Sequence, residues 1–132
     1  MSTGTGRLSV TVLTETADCA VLRVSGELDH ASEAAFLADT GVVLADGCRY
    51  LVLDVAALTF CDSRGLNCLL ALHWLLRRRE GTLLLACAGR RLSDLLVHTG
   101  SAQLFPLHPT VSKALAALPE HCRPVWPPVT TP

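Results

Sequence analysis

Two apolar runs, RYLVLDV at 49–55 and TLLLACA at 82–88, limit what this chain can fold into more than any other feature. Runs this short and this apolar are expected of interior strands covered on at least one face. Between them lies LNCLLALHWLLRRR, whose apolar residues recur with the helical period, so a helix from about 64 to 79 links the two strands. Strand, helix, strand in that order implies a parallel pair joined by a crossover that packs back on the sheet.

The remaining segments extend the pattern. LSVTVLTET (8–16) alternates loosely and is rich in β-branched residues, Ala17-Asp18 marks a turn, and CAVLRVSG (19–26) reads as a second strand, hairpin-paired with the first. In ELDHASEAAFLADTGVVLADG, apolar Ala34, Leu37, Ala38, Val42 and Ala45 follow the helical period. Asp29 or Ser32 could cap that helix, and Gly47 stops it. GRRLSDLLVHTG (89–100) is a short helix ended by Gly100. AQLFPL (102–107) is a short edge strand, since Pro106 cannot serve a central ladder, and HPTVSKALAAL is a last helix with Pro109 in its first turn. The order is ββαβαβαβα: an α/β domain with a mixed sheet of four to five strands, parallel in its later part, packed with about four helices. At 132 residues the chain is one domain, expected over 8–118. A flexible N-terminus is expected at 1–7, and a tail at 119–132 whose five prolines predict disorder.

Composition narrows the function. Half the residues are hydrophobic and 17% are charged, a globular balance. The net charge is −1 and the basic residues are spread out apart from Arg77-Arg78-Arg79, so nothing predicts a nucleic-acid partner. The six cysteines are scattered, mostly within apolar runs, and no C-x-x-C pair exists. Buried reduced thiols are expected, with neither a disulfide framework nor a metal site. The opening MSTGTGRLSV has no apolar segment of the kind a signal peptide needs, and no apolar run reaches the 18 or so residues of a membrane span. A cytoplasmic protein with no direct membrane contact is the expectation. No phosphate-binding glycine loop is present, the nucleophile-elbow pattern around Ser63 is half missing with Cys61 two positions before it, and no cofactor or enzymatic activity is expected.

The polar break in FCDSRGLNCLL, 60–70, is the candidate site. It lies where a strand gives way to the helix of 64–79. On a helical wheel Ser63, Arg64, Asn67, Ala71, Trp74 and Arg78 share one sector of about 100°, and the leucines fill most of the rest. Ser63 has two readings. Its hydroxyl could cap the helix, a contribution of about 1 kcal/mol, and Asp62 could serve the same purpose. Alternatively the hydroxyl is held out for chemistry. Trp74, on an otherwise polar face, suits an interface anchor.

Three blocks in order, GELDHASEAAF, YLVLDVAALTFCDSRGLNCLL and GRRLSDLLVHTGSAQLF, resemble the signature blocks of STAS-domain anti-sigma factor antagonists. The likeness runs from about 8 to 118, and its fold agrees with the order read above. The resemblance implies that Ser63 is phosphorylated by an anti-sigma factor that is also a serine kinase. It implies that the unmodified protein binds that kinase and so releases a sigma factor, and that a PP2C-type phosphatase resets the cycle. Asp29, of the G-E-L-D block, and Asp62 are then the acids beside the phosphorylation site. A partner-binding surface of Asp29, Asp62, Ser63, Arg64, Asn67, Trp74 and Arg78 follows, on a protein that is a monomer when free. One position departs from the family: many members carry a second serine where this chain has Arg64, which puts a guanidinium within reach of a phosphate on Ser63. Two other readings share the fold, a non-phosphorylated subunit of a lipid or anion transport complex and an orphan scaffold in which Ser63 is only a cap.

Overall fold

In the computed structural model, which describes residues 7–128, the elements run β1 (Leu8–Glu15), β2 (Cys19–Leu28), α1 (Glu33–Ala45), β3 (Tyr50–Asp54), β4 (Leu58–Cys61), α2 (Ser63–Arg78), β5 (Thr82–Ala86), α3 (Arg90–His98), β6 (Leu107–His108) and α4 (Val111–Ala116). The two apolar runs are neighbours: β3 and β5 pair in parallel at the centre of a sheet ordered β1-β2-β3-β5-β6. Among the described residues only the β1–β2 hairpin is antiparallel, so the sheet is mixed.

The register explains why β3 and β5 are apolar throughout. Leu22, Leu53 and Leu85 stand in line across three strands, and so do Val21, Val52 and Leu84 one residue earlier. Successive side chains point to opposite faces. The leucine row packs under α1, α2 and α3, against Phe36, Leu69, Leu76 and Leu96. The valine row packs under α4, against Val111, Ala114 and Leu115. With helices on both faces, no position on either strand can be polar without cost.

Four features depart from the sequence reading. The segment after β3 contains a further strand, β4, which leaves the β3 line and pairs in parallel with the far end of β2. A tight turn produces the offset: Asp54 Oδ1 accepts the Ala56 N–H at 3.0 Å, and the Leu58 N–H donates to Val55 O at 3.1 Å. The last strand is only Leu107–His108, because Phe105 turns into the core and the residues before it form turns. Pro109 precedes α4, whose N-cap is Thr110: its hydroxyl accepts the Lys113 N–H at 3.1 Å.

The fourth departure is the face α1 buries. The stripe Ala34, Leu37, Ala38, Val42 and Ala45 faces solvent, with Val42 72% exposed. Phe36, Thr40 and Leu44 are buried instead. Thr40 can be buried because its hydroxyl donates to Phe36 O at 2.9 Å, which leaves only a methyl to pack.

The two ends of the chain are described in part. Arg7 pairs with Glu27 and Asp29, while residues 1–6 lie outside the described residues. In the proline-rich segment, residues 119–128 are described and lie on the α4 face. Cys122 is fully buried, Arg123 donates to the carbonyls of Ala116 and Leu118, and Trp126 packs against the second core. Burial of the Cys122 thiol and partial burial of the Trp126 indole pack this stretch against the second core.

Candidate functional site

The seam between β4 and α2 is built by three residues with separate tasks. Asp62 is the N-cap: its backbone is extended, and its Oδ1 accepts the Gly65 N–H at 3.0 Å. The Leu66 N–H donates to Asp62 O at 2.9 Å, which starts the helix. Ser63 is the first helical residue, exposed, and its hydroxyl has no hydrogen-bond partner among the described residues. Of the two cap candidates, Asp62 takes the part, and the Ser63 hydroxyl stays free.

Gly65 sets how closely the helix approaches the sheet. A Cβ there would stand 2.4 Å from Leu28 O and 2.8 Å from Cys61 Sγ, so only glycine lets the first turn of α2 rest on the end of β2. This contact has a register partner. Leu28 pairs with Cys61, and one residue beyond that pair stand Asp29 and Asp62. The parallel alignment of two strand ends thus brings together the two acids that the sequence separates by about thirty positions.

Asp29 is held firmly. It is 8% exposed, and its Oδ1 accepts the N–H groups of Ala31 at 3.0 Å and Ser32 at 3.2 Å. Ser32 returns the favour: its hydroxyl accepts the Asp29 N–H at 3.0 Å and donates to Glu27 O at 2.7 Å. Ser32 occupies the N-cap position of α1 but makes no cap bond, because its hydroxyl is spent on this turn. The other oxygen of Asp29 pairs with Arg7 Nη2, and Arg7 also binds Glu27 Oε1 through Nε at 3.0 Å and Nη2 at 2.7 Å.

Arg64 turns away from the sheet to α1, where its Nη1 lies 3.1 Å from Glu33 Oε1. The same oxygen lies 3.4 Å from His30 Nδ1. Asn67, Ala71, Trp74 and Arg78 continue the exposed face that Ser63 heads, as the wheel predicts, and Leu75 joins its margin. At 1.5 Å per residue, Trp74 stands about 16 Å along the axis from Ser63 and Arg78 about 22 Å, so a partner must lie along the helix to touch all of them. Trp74 is 55% exposed and meets the His73 ring edge-on at 4.7 Å. Arg7, Glu27, His30, Ser32 and Glu33 belong to the site by geometry; the last four lie in the GELDHASEAAF block, which gave them no role at the site, and Arg7 lies in no block.

The chemistry available is limited. Among the described residues no group of three or more His, Cys, Asp or Glu side chains converges as a metal site would require, and no helix is long and apolar enough to cross a membrane. Burial first, then the charge of Asp62, pushes the thiol of Cys61, beside the seam, up to about 12, which disfavours the reactive thiolate. The arrangement offers one accessible hydroxyl at the positive end of a sixteen-residue helix, with acids on either side and one arginine next to it.

Comparison with known proteins places the chain as a whole. The family described as STAS domain matches residues 11–114. An anti-sigma F factor antagonist of Paenibacillus polymyxa is 27% identical over 99 residues, covering 74% of this chain and 85% of that protein. The crystal structure of an anti-sigma factor antagonist from Mycobacterium paratuberculosis is 36% identical, with a TM-score of 0.66 over 83% of this chain and 93% of that one. The anti-sigma factor antagonist SpoIIAA in its unphosphorylated form shares the fold at 19% identity, with a TM-score of 0.70 over 83% of this chain and 94% of that one.

Proposed function

Since the chain belongs to the STAS-domain family and within it to the anti-sigma factor antagonists, we propose that it is a partner-switching protein whose switch is Ser63. Unmodified, it binds an anti-sigma factor that is also a serine kinase, and a sigma factor is released. The kinase then transfers the γ-phosphoryl group of ATP to Ser63 Oγ, with ADP as leaving group and the hydroxyl proton passing to a base of the kinase. The phosphorylated form lets go, and a PP2C-type phosphatase restores the hydroxyl. Nothing in this cycle asks the chain itself for catalysis.

One observation carries the reading: Asp62 caps α2 through Gly65, so the Ser63 hydroxyl is exposed and uncommitted at the first helical position. Modifying this serine breaks no bond that its own helix uses, and the domain tolerates the added charge, because a phosphoserine carries about −1.5 to −2 and the helix N-terminus favours an anion. An interface does not. Burying that charge against a partner costs several kcal/mol, and about 1.4 kcal/mol is tenfold in affinity, so two such units mean a hundredfold loss. The exposed line Ser63, Asn67, Trp74 and Arg78 supplies the partner surface, with Trp74 as its apolar anchor and Asp62 at its acidic end, while Asp29, buried and bonded within the domain, acts on that end through its charge and not by contact.

The test is phosphoryl transfer. Incubation with the cognate anti-sigma kinase and ATP should add one phosphate, found by mass spectrometry on the peptide that contains Ser63, and Ser63→Ala should abolish it. Modification at another serine, or none with a kinase that binds the protein, would overturn the proposal.

A further inference from the structure

We propose that Arg64 is the intramolecular receiver of the phosphoryl group on Ser63, and that Glu33 holds it in reserve until the group arrives. The inference rests on the reading of Ser63 as a phosphorylated residue and concerns what happens inside the domain afterwards. The charges around the α2 N-terminus are mostly acidic: Asp29, Asp62, Glu27 and Glu33 against Arg7 and Arg64. Arg7 is engaged by two carboxylates, Glu27 and Asp29. Arg64 is held by one carboxylate oxygen at 3.1 Å, and its side chain is 54% exposed, so it can change partner at small cost.

A phosphoserine next to it is a stronger competitor than Glu33, since it carries up to twice the charge and three acceptor oxygens that suit a guanidinium fork. Glu33 is not stranded by the exchange, because its side chain is 27% exposed and water can take the place of the guanidinium. The exchange shifts one arginine from α1 to the head of α2 and leaves the backbone in place. It offsets the repulsion that the phosphate would otherwise meet from Asp29 and Asp62.

The test needs neither kinase nor partner. Phosphoserine is introduced at position 63 of the full chain by genetic encoding, and the second ionisation of the phosphate is followed by phosphorus NMR across pH. Arg64→Gln should raise that pKa by about half a unit, the size of one partly exposed ion pair. Glu33→Gln should lower it in the Arg64 background and lower it less in the Arg64→Gln background, because Glu33 acts through Arg64. An unchanged titration in Arg64→Gln, or equal Glu33→Gln effects in both backgrounds, would overturn the exchange. A failed kinase assay would instead count against Ser63 as the physiological site and leave these titrations unaffected.

Discussion

Asp62 Oδ1 accepts the backbone N–H of Gly65 at 3.0 Å, and this bond leaves the neighbouring Ser63 hydroxyl with no structural duty. Asp62→Ala should therefore lower stability by about 1 kcal/mol, whereas Asp62→Asn, which keeps a capping oxygen, should cost less. Ser63→Ala should change stability very little. Chemical denaturation of the three variants checks the division of labour, and a Ser63→Ala loss as large as that of Asp62→Ala would contradict it.

Gly65→Ala tests the close approach of α2 to the sheet. In an open helix the change adds about 1 kcal/mol of stability. Here the new Cβ would meet Leu28 O at 2.4 Å, a backbone atom that cannot rotate away, so the sign should reverse to a loss of about 1–3 kcal/mol. A thermal melt decides the sign.

His73 gives the fold a pH dependence. It is buried on α2 with Nδ1 unpartnered, edge-on to Phe105 at 5.5 Å, and burial first, then the charge of Arg77, lowers its pKa from the ordinary value. The unfolded chain takes up this proton as pH falls through about 6.5, while the folded chain resists it. Between those two pKa values the unfolded state binds more protons, so this contribution is complete above about pH 6.5 and is lost below it. His73→Leu should show a smaller fall in Tm between about pH 7.5 and 5.5 than the parent protein, in melts run in matched buffers. An equal fall would assign the pH dependence to other groups.

The parts of the fold that were legible in the sequence are those fixed by local pattern. Strands β3 and β5 are apolar at almost every position because both faces are covered, and the face of α2 from Ser63 to Arg78 follows from a clear 3.6-residue period. Helix α1 misleads because it is apolar nearly all round. Its exposed stripe of Ala34, Leu37 and Val42 is as apolar as the face of Phe36 and Leu44 that packs, and buried Thr40 looks polar on paper. Strand β4 spans four residues and owes its existence to pairing with the end of β2, a tertiary fact. The ion pairs at the site are likewise tertiary. Arg7 meets Glu27 and Asp29, and Arg64 meets Glu33, only after parallel strands and helices bring distant positions together, so no window of sequence contains them.

Affinity for the anti-sigma kinase, measured by calorimetry on unmodified and Ser63-phosphorylated protein, tests the switch most directly. The unmodified protein and Ser63→Ala should bind alike. The phosphorylated protein should bind at least about a hundredfold more weakly, with Ser63→Asp between them, while far-ultraviolet circular dichroism shows the same fold in all four. Equal affinity of the phosphorylated and unmodified forms, or loss of binding in a folded Ser63→Ala, would contradict a switch at Ser63.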